Sequence, residues 1–213
     1  QGKFVADILY FYGEDNNITS LFGKKMPEIP TGYNYDFVNA DALVNALGVD
    51  KGNITTPGGT SYRLLVLDPN ARYMTLPVLK KINQMVEAGA SVAGEKPLTT
   101  PSLSDNIDEF RSIADKLWAK EKGENIICKG KVFAGMTAGE ALQAMNIEPD
   151  FTYTKPQNDT RLLFVHRKAG NTDFYWINNR NERIEDVEAA FRVKGKQVEI
   201  WHPESGLINQ ASY

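Results

Sequence analysis

The sequence predicts an α/β protein: a doubly wound, mainly parallel sheet over residues 1–155, then a small antiparallel β segment, a partial β-sandwich, over 156–213. Three observations predict it. Strand-like and helix-like runs alternate through residue 94, which is the pattern of parallel strands joined by crossover helices. The second helical run carries Pro77 in its first turn and Gly89 just past its end, the usual asymmetry of helix termini. After Pro149 the apolar period falls to two, as in hairpins.

The elements follow in order. Residues 5–12 form an apolar run rich in β-branched and aromatic side chains, read as a buried strand ended by Gly13, Glu14 and Asp15. Pro27, Pro30 and Gly32 punctuate a loop. Phe37, Val38, Ala40, Leu43, Val44 and Leu47 are spaced three and four apart, so a helix is expected there, with Asp36 as its N-cap and Gly48 as its stop. Thr56-Pro57-Gly58-Gly59 is a turn, residues 62–67 a second strand, residues 76–88 a second helix, and Ser91-Val92-Ala93 a third strand. Ile107, Phe110, Ile113, Ala114, Leu117 and Trp118 line a further helix. Residues 126–128 and 131–133 are short strands, and Thr137 with Glu140 is a capping box opening a last helix. In the tail, residues 162–167 and 174–177 pair about a turn at Ala169-Gly170-Asn171. Residues 190–193 and 198–201 are expected to pair about Lys194-Gly195-Lys196. The boundary between the two parts falls near residue 155.

Composition narrows the function classes. Of 213 residues, 42% are apolar and 24% charged, and the net charge is -3, which favours neither nucleic acid nor an anionic membrane surface as partner. No apolar run nears the roughly 20 residues of a membrane helix. The single Cys128 excludes an internal disulfide. The chain opens on Gln1 rather than Met, which is read as the boundary of a piece of a longer protein.

A doubly wound domain of this size suits amidotransferase-like or hydrolase-like chemistry, which needs Cys or Ser on a strand-to-helix elbow with His and a carboxylate nearby. The elbow after the third strand reads Gly94-Glu95-Lys96-Pro97 and holds neither. Cys128 has no His near it in sequence and reads as a packed core thiol. His166 and His202 lie in the tail without ligand spacing, and read as hydrogen-bonded strand residues. The Gly58-Gly59 turn precedes a strand, not a helix, so no phosphate cradle forms. Asp7 reads as a sheet-edge or capping group. No catalytic residue and no metal site is assigned.

Two clusters merit weighing as a sugar-binding edge. Glu14, with Asp15, Asn16 and Asn17, follows the C-terminal end of the first strand, where open α/β sheets bind ligands. The same residues favour turns, which is the stronger reading. Tyr33, Tyr35, Asp36 and Asn39 open the first helix. Aromatic faces and carboxylates suit a pyranose, but capping plus packing is the stronger reading here too.

At these residues the chain resembles a known family. Val5-Ala6-Asp7-Ile8-Leu9-Tyr10-Phe11-Tyr12-Gly13-Glu14 followed by Gly32-Tyr33-Asn34-Tyr35-Asp36-Phe37-Val38-Asn39-Ala40 resembles glycoside hydrolase family 106, the α-L-rhamnosidases. Gly89-Ala90-Ser91-Val92-Ala93-Gly94-Glu95-Lys96-Pro97 and, in the tail, Phe191-Arg192-Val193 with Trp201-His202-Pro203 are similar to it too. The resemblance implies a class I glutamine amidotransferase-like domain without nucleophile, then the opening strands of a β-sandwich. It also implies a catalytic barrel elsewhere in the same polypeptide, with Ca²⁺ in that barrel and no cofactor in this chain. The parent would be secreted or periplasmic and would act on rhamnose-containing polysaccharide. This chain would be an inactive accessory portion that supports the barrel and shapes the cleft with Glu14, Tyr33, Tyr35, Asp36 and Asn39. Two alternatives stand beside it: a carbohydrate-binding module without chemistry, and a stand-alone amidotransferase-like enzyme.

Overall fold

The computed structural model describes residues 2–19 and 28–211; Gln1 and Pro27 lie outside them. After a short β1 (Lys3–Phe4), β2 (Ile8–Phe11) is buried along its whole length, as an apolar run flanked by sheet on both sides must be. Next come β3 (Tyr35–Val38), α1 (Ala40–Ala46), and the short strands β4 (Gly48–Asp50), β5 (Asn53–Thr55) and β6 (Ser61–Tyr62). Then follow β7 (Leu64–Leu67), α2 (Leu76–Ala88), β8 (Ser91–Gly94) and α3 (Ile107–Leu117). The hairpin β9 (Gly123–Ile127) and β10 (Gly130–Ala134) leads to α4 (Ala138–Ala144). The tail holds β11 (Phe151–Tyr153), β12 (Leu162–Ala169), β13 (Thr172–Asn179), β14 (Ala189–Phe191), β15 (Glu199–His202) and β16 (Leu207–Gln210).

The largest sheet has the order β3-β2-β7-β8-β10-β9. Side chains of β2 and β7 alternate between its two faces. Leu9, Phe11, Leu65 and Leu67 join α1, α2 and α3 in one core. Ile8, Tyr10, Leu64 and Val66 join α4 in the other. Local signals fix the helix ends. Gly89 closes α2 at φ +119°, a left-handed position that suits glycine. Thr137 and Glu140 form a complete capping box on α4.

The doubly wound, mainly parallel class and the amidotransferase-like topology are corrected here. Parallel ladders number four among the described residues, all in the one large sheet, beside a single parallel bridge between Tyr73 and Thr99. Every other ladder among the described residues is antiparallel, including all of the four smaller sheets and the β9 edge. The helices are few and short, at 7 to 13 residues, and three of the four serve one face. No described α-helix links β2 to β3. The chain is therefore a mixed, sheet-rich fold. Alternating apolar runs report that elements exist, but not which way neighbouring strands run.

Three local expectations change as well. Residues 35–38 are strand, with Phe37 and Val38 in opposite cores, so the helix begins only at Ala40 and Asn39 caps it, not Asp36. Cys128 is exposed at φ +52° in the turn between β9 and β10 and is no core thiol. In the tail, β14 pairs with β11, and β15 with β16, so residues 190–193 and 198–201 do not pair with each other. Period two identifies a strand without naming its partner.

The tail forms three sheets: β1-β12-β13, β11-β14 and β15-β16. Phe151 is its buried centre, 5.1 Å from the Phe164 ring and 5.3 Å from that of Phe191. The opposite face of the hairpin leaves Leu163, Val165, Phe174 and Trp176 exposed, with Trp201 edge-on to Phe174.

Candidate functional site

The five residues read as a sugar-facing edge are dispersed over the large sheet. Glu14 leaves the C-terminal end of β2 and serves α2: its two carboxylate oxygens accept the Thr75 backbone N–H at 2.6 Å and the Thr75 hydroxyl at 2.8 Å. Thr75 is the N-cap of α2 and makes no cap bond with its own side chain; Glu14 holds Thr75 itself, Asp105 accepts the Leu76 N–H at 2.7 Å, and both carboxylates favour the positive helix end. Asn39 accepts the Ala42 N–H at 2.8 Å and caps α1. Asp36 accepts the Tyr62 hydroxyl at 2.9 Å, and burial together with this carboxylate pushes the Tyr62 phenol up.

Tyr33 and Tyr35 lie at the other end of β3, before and at its start. The Tyr33 hydroxyl donates to the Ile147 carbonyl at 2.7 Å, while Tyr35 meets the Phe37 ring edge-on at 5.3 Å. Both rings are half-buried against the α4-side core. Only these two tyrosines come together; Glu14 and Asn39 sit at the opposite strand end. Asn39→Ala is expected to cost about 1 kcal/mol of stability, as loss of an N-cap does, read in urea unfolding.

A different set of groups converges, and most of it escaped the sequence reading. Asp7, just before β2, is buried and accepts two bonds from the Arg192 guanidinium at 2.8 and 2.9 Å. It is thus the anchor of an ion pair, not a sheet-edge or capping group. Arg63 approaches Asp7 at 3.4 Å from the surface, and Arg192 lies 3.8 Å from Asp150. Buried Asp150 contacts His166 Nδ1 at 2.7 Å and accepts the Tyr175 hydroxyl at 2.8 Å. His166 Nε2 contacts Asp173 at 2.9 Å, and Asp173 also takes the Lys196 ammonium. The Tyr175 ring stacks on the imidazole at 4.0 Å. The β12–β13 register brings His166 opposite Tyr175 and next to Asp173, and that part was deducible from the hairpin turn. Asp7, Asp150 and Arg192 come from remote segments and gave no local signal.

This row has the acids and bases of an active site, but the side chains of Asp7, Asp150 and His166 are only 3–5% exposed. Its three carboxylates are each held by cations and donors. Two surface clefts flank the tail instead. One, of about 470 Å³, is lined by Lys3, Lys168, Thr60 and Ser61 among others and has no acid; the other, of about 400 Å³, has Glu188 as its one acid. Glycoside hydrolysis needs two carboxyl groups facing across roughly 5–9.5 Å, and neither lining supplies the pair. Among the described residues, no group of three His, Cys, Asp or Glu side chains is placed to hold a metal ion.

Comparison with known proteins adds the family context. A family model described as alpha-L-rhamnosidase matches residues 1–213. A curated relative from Formosa agariphila, named "Putative beta-glucuronidase", is 34% identical over 214 residues, which cover 99% of this chain and 17% of that protein. A solved rhamnosidase from Novosphingobium sp. PP1Y superposes with a TM-score of 0.91 at 37% identity, covering 99% of this chain and 20% of its own. An apo exo-carrageenase from Bacteroides ovatus gives a TM-score of 0.50 at 15% identity, a likeness of fold alone. The chain thus spans about a fifth or less of the first two relatives' length.

Proposed function

The chain belongs to glycoside hydrolase family 106, the α-L-rhamnosidases, and from that premise we propose that it is a non-catalytic accessory portion of a longer glycosidase acting on rhamnose-containing polysaccharide. One observation carries the reading: neither cleft presents two facing carboxylates, and the buried acids Asp7, Asp68 and Asp150 are all bonded within the fold. Bond cleavage then belongs to another part of the longer protein. The chain's own residues supply rigidity and a surface.

Two surface features support an accessory part. The apolar outer face of β12 and β13, with Trp176 and Trp201, suits a second β-layer packed over it in the manner of a sandwich. The half-buried pair Tyr33 and Tyr35 is the portion of the expected sugar edge that stays together. On this proposal, residues 1–155 carry the large sheet, ending in a β11 already paired with β14 of the tail, and 156–213 begin the sandwich. No helix among the described residues is long and apolar enough to cross a membrane, and we place the longer protein outside the cytoplasm, where polysaccharide is met.

The test is direct. The 213-residue chain is incubated with an aryl α-L-rhamnoside at an enzyme-like concentration, and release of the aryl alcohol is followed. No release above the buffer rate is expected. Turnover that survives purification to homogeneity would overturn the accessory role.

A further inference from the structure

We propose that His166 is a positively charged strut, and that its proton couples the seating of the antiparallel tail on the large sheet to pH. Both ring nitrogens face carboxylates, Asp150 at 2.7 Å and Asp173 at 2.9 Å. An ionised carboxylate only accepts, so both nitrogens must donate, and only the imidazolium can do that. A neutral ring would turn a lone pair toward a carboxylate oxygen in a site where the His166 side chain is 5% exposed.

Charge balance points the same way. Asp7, Asp150 and Asp173 contribute three negative charges, and Arg192 and Lys196 two positive ones. His166 supplies the third. Arg63 stands at the rim with half of its side chain exposed, where water screens it. Tyr175, stacked on the ring, donates its hydroxyl to Asp150; burial and the Asp150 charge push its phenol well up, so it remains a neutral donor. These are the charged and titratable groups that face the ring from β13, from the turn before β11, from the segment after β14 and, through Arg192, from the start of β2.

The row also has a mechanical position. Asp7 belongs to the large sheet, since its backbone carbonyl accepts the N–H groups of Arg63 and Leu64 at the head of β7. Arg192, Asp150, His166 and Asp173 belong to the tail. Losing one proton at His166 leaves the buried carboxylates in excess at this junction.

The direction of the pH effect follows. Burial, the largest single influence, pulls the His166 pKa down, but the bonds and charges of Asp150 and Asp173 together outweigh it and hold it above the ordinary histidine value. A raised folded-state pKa stabilises fully below the unfolded value and is lost as pH rises through the folded one. For Asp173, burial pulls upward, but the Lys196 and His166 bonds outweigh it and hold the carboxyl low, so its contribution fades only in acid. The junction therefore loosens on the alkaline side.

Two measurements on the intact chain test this. In NMR of the imidazole carbons, His166 is expected to keep its imidazolium shift at a pH where a model histidine peptide has lost its proton. A midpoint at or below that of the peptide overturns the proposal. In hydrogen exchange corrected for intrinsic rates, the amides of β12 and β13 are expected to lose protection as pH rises through the His166 midpoint, while those of β7 hold. Equal changes in the two regions, or none, would also overturn it. Because both readings use the unsubstituted protein, a variant that fails to fold cannot confuse them.

Discussion

Arg192→Ala is expected to destabilise the chain by about 3–5 kcal/mol, the cost of removing one partner of a buried ion pair. Asp7 is 4% exposed as a side chain and takes both of its short guanidinium bonds from Arg192. The same guanidinium donates to the Glu148 carbonyl at 2.6 Å. Truncation strands a carboxylate in the interior with only Arg63, itself half in water, within reach. Arg63→Ala is the control and is expected to cost under about 1 kcal/mol, as exposed pairs do. Urea unfolding followed by tryptophan fluorescence reads both. An Arg192→Ala cost no larger than that of Arg63→Ala would mean the pair is not holding the junction. Replacing both partners by apolar residues, Asp7→Leu with Arg192→Met, should recover much of the loss, because no unpaired charge is left behind.

Phe151→Ala is the second large effect, again about 3–5 kcal/mol, from lost transfer energy plus the cavity. Phe151 is 2% exposed, and its ring lies within 5.5 Å of the rings of Tyr153, Phe164 and Phe191. It carries most of the apolar packing that the tail has. For a chain of this length such a loss corresponds to a fall in Tm on the order of 10 °C, measurable by calorimetry. Trp176→Ala should move Tm hardly at all in this chain alone, since that side is 61% exposed. A larger effect at Trp176 than at Phe151 would show that the two faces of the hairpin have been assigned the wrong way round.

The contrast between these residues marks what could be read from sequence. The buried runs of β2, β7 and β8, the ends of α2, the capping box on α4 and the β12–β13 hairpin all write themselves in local spacing or turn chemistry. Strand direction and partner do not. Tyr35–Val38 alternates with period two, yet it runs straight into a helical spacing and merges with it. The β11–β14 pairing brings Phe151 opposite Phe191, and nothing near either residue announces the other. The candidate site shows the same divide. Glu14 was visible as an oxygen-bearing group at a strand end and Asn39 as one at a helix start; the structure sets both at helix starts, Glu14 at a remote one that no local signal names. The ionic row draws on residues 7, 63, 150, 166, 173, 192 and 196. Its members meet only once two separate parts of the chain have closed on each other.

That closure has a consequence for how the protein is made. Asp7 waits for Arg192, 185 residues later, and Lys3 and Phe4 wait for β12. On a ribosome Asp7 and β1 therefore emerge long before the residues that neutralise and cover them. This region cannot complete its native state as its chain emerges, and nascent chains stalled before Arg192 has left the ribosome should remain protease-sensitive at β1.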